Sequence, residues 1–87
     1  MIIKFSKKFK KHLSKAPRKI KDAFKMRYKV FIVDEFNPIL RNHSLAGKYA
    51  GCRSINISGD WRVAFREYED ENLIVFVALG IHSQLYK

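Results

Sequence analysis

Acidic residues are scarce in this chain, and so are cysteine and glycine. Cys52 is the one cysteine among 87 residues. A single thiol excludes an internal disulfide and any cysteine-based zinc cluster, and it suits a reducing compartment. With no base next to it in the sequence, it reads as a small packed hydrophobe rather than a nucleophile. The four glycines never gather into a phosphate loop of the Rossmann or P-loop kind. His12, His43 and His82 show neither HxH nor HxxxH spacing, so no metal site is expected and no cofactor is implied. The longest apolar run, Leu73 to Leu79, is far too short to cross a membrane. The opening stretch MIIKFSKKFKKHLSK lacks the continuous apolar core of a secretory signal, so a cytoplasmic protein is expected.

What is present in excess is positive charge. Eighteen Lys and Arg stand against eight Asp and Glu, a net charge of +10. Twelve of those cations fall in residues 1–29, where Asp22 is the only acid. Such a field attracts polyanions: nucleic acid, an anionic membrane or an acidic protein. The plainer reading is a solubilising surface. The chain is 47% hydrophobic and 14% aromatic, the composition of a folded protein, and residues 1–87 are expected to form one small domain.

Periodicity divides the chain in two. Met1 to Phe5 reads as a short strand. Phe5, Phe9, Leu13 and Ala16 then recur every three or four residues among lysines, the pattern of a basic amphipathic helix. Pro17 suits the first turn of a second helix, expected from Pro17 to Phe36 with Ile20, Phe24, Tyr28, Phe31 and Ile32 on its buried face. The stretch VFIV, Val30 to Val33, would also suit a strand. Pro38 ends the segment. LRNHSLAGKYAG reads as a loop. Three strands follow, separated by the turns SGD and YEDEN. The last, NLIVFVALGI, is apolar on both parities and is expected to be central and covered on both faces. The result is an α+β fold of order β-α-α-β-β-β: a helical hairpin on one face of a small, mainly antiparallel sheet. Asn56, Arg62, Arg66 and His82 could then share the face the helices leave open.

The residues able to carry chemistry are acids and bases among cations. His43 stands in a loop, Asp60 in a turn and His82 at a strand end. A histidine with its ordinary pKa of about 6.5 can donate or accept a proton near neutral pH. Arg53, Arg62 and Arg66 can grip phosphate in bidentate fashion, and Lys48 adds a further cation for RNA phosphate. This set meets the needs of RNA cleavage by internal transfer, in which a base activates the 2′-hydroxyl, cations hold the phosphorane and an acid protonates the leaving 5′-oxygen. Each residue also has a structural reading: His82 as a hydrogen-bonded strand end, Asp60 as a turn residue, Trp61 as core, and Arg62 and Arg66 as a solvated strand face.

NHSLAGKYAGCRSINISGDWRVAFRE, followed by VFVALGIHSQLY, resembles the RelE/YafQ branch of bacterial type II toxins. The shared pattern is an Asn/Asp-His-x-Leu-x-Gly loop, then Gly-x-Arg, Asp-Trp opening a strand, and a closing Gly-x-His-x-x-Leu-Tyr/Phe. It covers roughly residues 40–87. The resemblance implies a ribosome-dependent endoribonuclease that cuts mRNA on the 70S ribosome and is neutralised by a cognate antitoxin. By motif position, His43 would be a base or an orienting group, Asp60 would assist it, His82 would be the general acid and Tyr86 would pack against the substrate. Arg62 sits where relatives often place a phosphate-binding arginine. Some relatives carry a second histidine where this chain has Asn56, and Asn exchanges no proton at neutral pH, so either His43 or Asp60 must do more or the 2′-oxygen is activated mainly by cations. Gly80 is expected to let the chain leave the central strand. The basic hairpin, with Lys7, Lys8, Lys10 and Lys11, is expected to hold ribosomal RNA. Two alternatives remain: a ParE-like toxin that binds DNA gyrase without cutting RNA, and a basic RNA-binding module without catalysis.

Overall fold

Ser6 both ends the first strand and starts the first helix. The computed structural model describes residues 1–85. In it β1 spans Ile2–Phe5 and α1 spans Lys7–Lys15. The Ser6 Oγ accepts the Phe9 N–H at 3.0 Å, an N-cap bond that satisfies one orphan donor of the first turn. The same hydroxyl donates to the Val77 carbonyl at 3.1 Å, pinning the helix start to the sheet. Ala16 leaves the helix in extended conformation, and Pro17, with φ near its fixed value, leads into α2, Arg18–Val33.

Val30 to Val33 are thus helical. The helix stops before Phe36, because Asp34 turns extended and its Oδ1 takes the Phe36 N–H at 3.0 Å. Ile32, expected inside, is 51% exposed; Phe31 fills the inward position instead.

The sheet holds β2 (His43–Ser44), β3 (Arg53–Ser58), β4 (Trp61–Tyr68) and β5 (Leu73–Ile81), followed by the short helix α3, His82–Leu85. Strand order is β1-β5-β4-β3-β2. β1 runs parallel to β5 and the other pairings are antiparallel. The expected α+β architecture is present, with a fifth strand inside the stretch read as a loop. Two residues carry no period, so β2 leaves no sequence signal. β5 lies between β1 and β4, as its two-sided apolar run required. His82 does not end that strand but opens α3.

The helices pack on one face over Ile55, Ile57, Val63, Phe65, Ile74 and Phe76. Phe76 is the hub: the rings of Phe5, Phe9, Phe24, Tyr28, Phe31 and Phe65 surround it at centroid distances of 5.4–5.9 Å. The other face was expected to lie open. Its middle is instead roofed, because Ala64 and Ala78 are small enough for Leu85, Leu45 and Tyr49 to close over them.

β1 is shorter than β5 and pairs only as far as Phe76. Side chains complete the remaining edge, since its backbone groups need partners. Ser6 takes the Val77 carbonyl, His12 Nδ1 accepts the Leu79 N–H at 3.1 Å, and Gln84 Oε1 accepts the Ile81 N–H at 2.9 Å. Gly80 is part of this arrangement. A Cβ there would meet Gln84 Oε1 at 2.7 Å, so the glycine makes room for the cap; the strand runs on through Ile81. No helix among the described residues is long and apolar enough to cross a membrane.

Candidate active site

A two-residue turn, Gly59 and Asp60, joins β3 to β4. Gly59 sits at φ +53, a conformation that costs glycine little. The Asp60 carbonyl accepts the backbone N–H of His82 at 2.9 Å. That bond ties the first residue of α3 to the hairpin turn, so Asp60 and His82 meet at one end of the sheet, both exposed.

Beside them runs a cross-strand row. Asn56 pairs with Arg62, and Arg62 with Gly80. Asn56 Nδ2 and Arg62 Nη1 both donate to the Gly59 carbonyl, at 3.1 and 2.8 Å, and Arg62 Nη1 also reaches the Trp61 carbonyl at 3.2 Å. Arg62 therefore lies folded over the turn that carries Asp60. A bulge between Asn56 and Ser58 bends β3 here, as bulges do where a side chain is re-aimed.

His43 belongs to the next row, opposite Ser54 in β2–β3. The ladder diagonal puts it about 7–8 Å from Asn56 on the same face. Its Nδ1 lies 2.7 Å from the Arg41 carbonyl. A carbonyl can only accept, so Nδ1 carries the proton and Nε2 is the basic nitrogen of the neutral ring.

Two arginines that sequence reading passed over stand at this end. Arg27 and Arg41 line a cleft of about 520 Å3 with Pro38, Ile39, Asn56 and Gly59. Arg27 Nη1 is fixed by the Ile39 carbonyl at 2.9 Å, and Arg41 is held in left-handed conformation at φ +51. Neither carried a local sequence signal: Arg41 closes a single helical turn outside any strand, and Arg27 is one of twelve cations in residues 1–29.

The other candidates disperse. Arg53 pairs with Phe65 and so shares the helix-covered face, where its Nε donates to Asn42 Oδ1 at 2.6 Å and its guanidinium stacks over Phe36. Arg66 stands at the far side of the small alanine cluster, donating to the Ala50 carbonyl at 3.3 Å under Gly51. Lys48 joins Lys8, not His43: both ammonium groups stand over the Tyr49 ring. Lys7, Lys8, Lys10 and Lys11 are exposed on α1, which carries no acid. Tyr86 lies outside the described residues.

The charge is uneven. Glu69, Asp70 and Glu71 occupy the opposite end of the β4–β5 hairpin, so Asp60 is the acid at the histidine end of that hairpin. Among the described residues the one ion pair is the exposed Arg18–Asp22, at 3.5 Å. No three His, Cys, Asp or Glu of those residues gather so as to hold a metal ion. The arrangement can draw in an anion and offers imidazole and carboxylate beside it.

A family model described as the bacterial toxin of type II toxin–antitoxin system, YafQ, matches residues 1–87. Among solved structures the chain is similar to YafQ from E. coli strain BL21(DE3), at 22% identity and TM-score 0.73, covering 98% of this chain and 97% of that one. It is similar to a chain of the E. coli DinJ–YafQ complex, at 24% identity and TM-score 0.71, with coverage of 98% and 97%. It also resembles a chain of the toxin–antitoxin complex RelBE2 from Mycobacterium tuberculosis, at 20% identity and TM-score 0.65, with coverage of 92% and 95%. No curated protein sequence matches it. These structures share its fold, and the family model spans its whole length: the chain belongs to the YafQ family of bacterial type II toxin–antitoxin toxins.

Proposed function

We propose that this toxin is a ribosome-dependent endoribonuclease that cuts mRNA by attack of a 2′-hydroxyl on the adjacent phosphate. The observation that carries the reading is the Asp60–His82 backbone bond, which seats a histidine and a carboxylate beside Arg62 at one end of the sheet. His43 stands one row away with Nε2 as its basic nitrogen.

In this reading the base removes the 2′-hydroxyl proton. His43 Nε2 takes it, with Asp60 assisting. The 2′-oxygen bonds to phosphorus while the bond from phosphorus to the 5′-oxygen breaks. His82, protonated, gives its proton to that oxygen, leaving a cyclic phosphate upstream and a 5′-hydroxyl downstream. Arg62 bears the charge of the phosphorane, with Arg41 and Arg27 drawing the strand to the cleft beside it. Asn56 positions, since it exchanges no proton. Lys7, Lys10 and Lys11 of α1 hold ribosomal RNA. Tyr86 packs against the substrate. The partner is a cognate antitoxin, as the complexes of DinJ with YafQ and of RelBE2 suggest.

Single-turnover cleavage on programmed ribosomes tests this. His82→Gln keeps a hydrogen-bonding amide but holds no transferable proton. It should lower the rate about 10²–10⁴-fold and leave the melting temperature unchanged. A near-normal rate would remove His82 as the acid, and absence of any cut by the unaltered chain would end the reading.

A further inference from the structure

The incomplete edge of β5 makes a second cleft. It has a volume of about 290 Å3 and is lined by Lys8, His12, Lys15, Lys48, Tyr49 and Trp61, with α3 contributing Gln84 and Leu85. Among the described residues, His43, Asp60 and His82 are not part of this lining. β1 stops early, so α1 and the turn at Gly47–Tyr49 face each other across the gap.

The cleft is built from donors. Lys8 Nζ donates to the Tyr49 hydroxyl at 2.7 Å and stands 5.0 Å from the ring centroid, while Lys48 Nζ stands 5.6 Å from the same centroid. One tyrosine thus gathers two ammonium groups, and Lys15 adds a third at the end of α1. No carboxylate lines the space, so the three cations repel one another without compensation until an anion enters. His12 contributes no negative end either. Its Nδ1 accepts from Leu79, so its ring proton sits on Nε2. Trp61 is half-buried here, packed in part against the helix-side core, and α3, which His82 opens, lines the cleft with Gln84 and Leu85, so the cleft adjoins the proposed site.

We infer that this cleft seats a second nucleotide of a single RNA strand, its phosphate on Lys8, Lys15 and Lys48 and its base against Trp61. The inference rests on the reading that the neighbouring site takes RNA. Aromatic side chains beside a cation cluster fit a nucleotide, which has a flat ring to stack and a phosphate to neutralise. An acidic peptide would use the lysines and leave Trp61 idle. The volume lies at the small end of ligand pockets, the size for one unit of a strand rather than a duplex.

Trp61 is the only tryptophan of the chain, so its fluorescence reports on the cleft. The probe is a 2′-O-methyl RNA pentanucleotide, which lacks the attacking hydroxyl and cannot be cut. It should quench Trp61, and excess inorganic phosphate should relieve the quench. Lys15→Gln combined with Lys48→Gln should weaken binding about tenfold at low salt. It should also flatten the slope of log affinity against log salt by about 0.7, the share of one neutralised phosphate on a single strand. Both lysines are exposed, so the variant should fold. Unchanged affinity and slope would overturn the inference. So would quenching by polyglutamate but not by the oligonucleotide, which would make the cleft a protein-docking site. If the unaltered chain cuts no mRNA while lysine-dependent quenching persists, the catalytic reading fails and the nucleotide site stands. If it cuts mRNA and the quench ignores the lysines, only the nucleotide site falls.

Discussion

The two faces of the sheet are built on opposite plans. On the helix-covered face, large rings interlock around Phe76, and nearly every inward position of β3, β4 and β5 is apolar. On the other face two alanines and Leu85 form a core just large enough to hold a loop and a four-residue helix in place. The row beyond that patch carries Asn56 and Arg62, and His43 stands at the outer end of the patch's own row, opposite Ser54. Stability and the candidate chemistry are therefore assigned to different sides of the same strands. A strand can serve both because its side chains alternate.

This division can be broken from either side. The largest effect should come from Phe76→Ala, which removes the ring that six others surround. A loss of about 3–5 kcal/mol is expected, a large share of what a domain of this size possesses. Urea denaturation measures it, and a loss under 1 kcal/mol would show that the aromatic face is not the seat of stability. A smaller effect is expected on the other face. Leu85→Ala should cost no more than about 2 kcal/mol, the low end for such truncations, because α3 can undock alone. Amide exchange at His82–Leu85 should accelerate while the helices stay protected, and cleavage should fall with the loosened His82. Uniform acceleration across the molecule would mean that the two faces unfold as one.

The smallest break lies where the aromatic face meets carboxylates. Glu67 follows Phe65 by two residues on the helix side, and Glu35 lies near it. Burial, followed by the charge and contact of Glu67, raises the pKa of Glu35 above the ordinary 4.5; Arg53 opposes the rise and Asp34 adds to it. Glu35 Oε2 is buried without a hydrogen-bond partner, and two ionised carboxylates cannot bond to each other, so a shared proton favours the pair. The folded chain then binds that proton more tightly than the unfolded one. Stability from this pair is full at or below pH 4.5 and is lost as pH rises through the raised value. Glu35→Gln should raise the melting temperature by roughly a few degrees at pH 7 and hardly at all at pH 4. An equal rise at both pH values would locate the effect outside this titration.

Much of this architecture can be read from period alone. Phe9, Leu13, Ile20 and Phe24 announce two helices, and a strand apolar on both parities has to be central. The failures have physical causes. Ile32 looks like core by composition, but Phe31 already occupies the inward direction of that turn. β2 exists only because β3 offers an edge to His43 and Ser44, a pairing across ten residues that no local pattern records. Gly80 suggests a turn until Gln84 is seen to need the space. Among the cations, sequence marks Arg62 by its place after Asp-Trp. It cannot say that Arg41 and Arg27 stand near Asn56 while Arg53 lies on the other face, because register decides this and one residue of slip inverts it.

The edge of β5 has a consequence for how copies of this chain meet. An unpaired strand edge is a template for another strand, and here a histidine, a serine and a glutamine occupy it. Of the three, only the histidine depends on protonation. Burial, then the charges of Lys8, Lys11, Lys15 and Lys48, lowers the His12 pKa below 6.5 and keeps Nδ1 able to accept from Leu79. The stability this gives is whole above that range and is lost as pH falls through the lowered value. Below it, His12 gains a proton, Nδ1 turns from acceptor to donor, and the Leu79 N–H is released. Acid would thus bare a segment of strand and favour edge-to-edge self-association, with the chain's own positive charge as the remaining barrier.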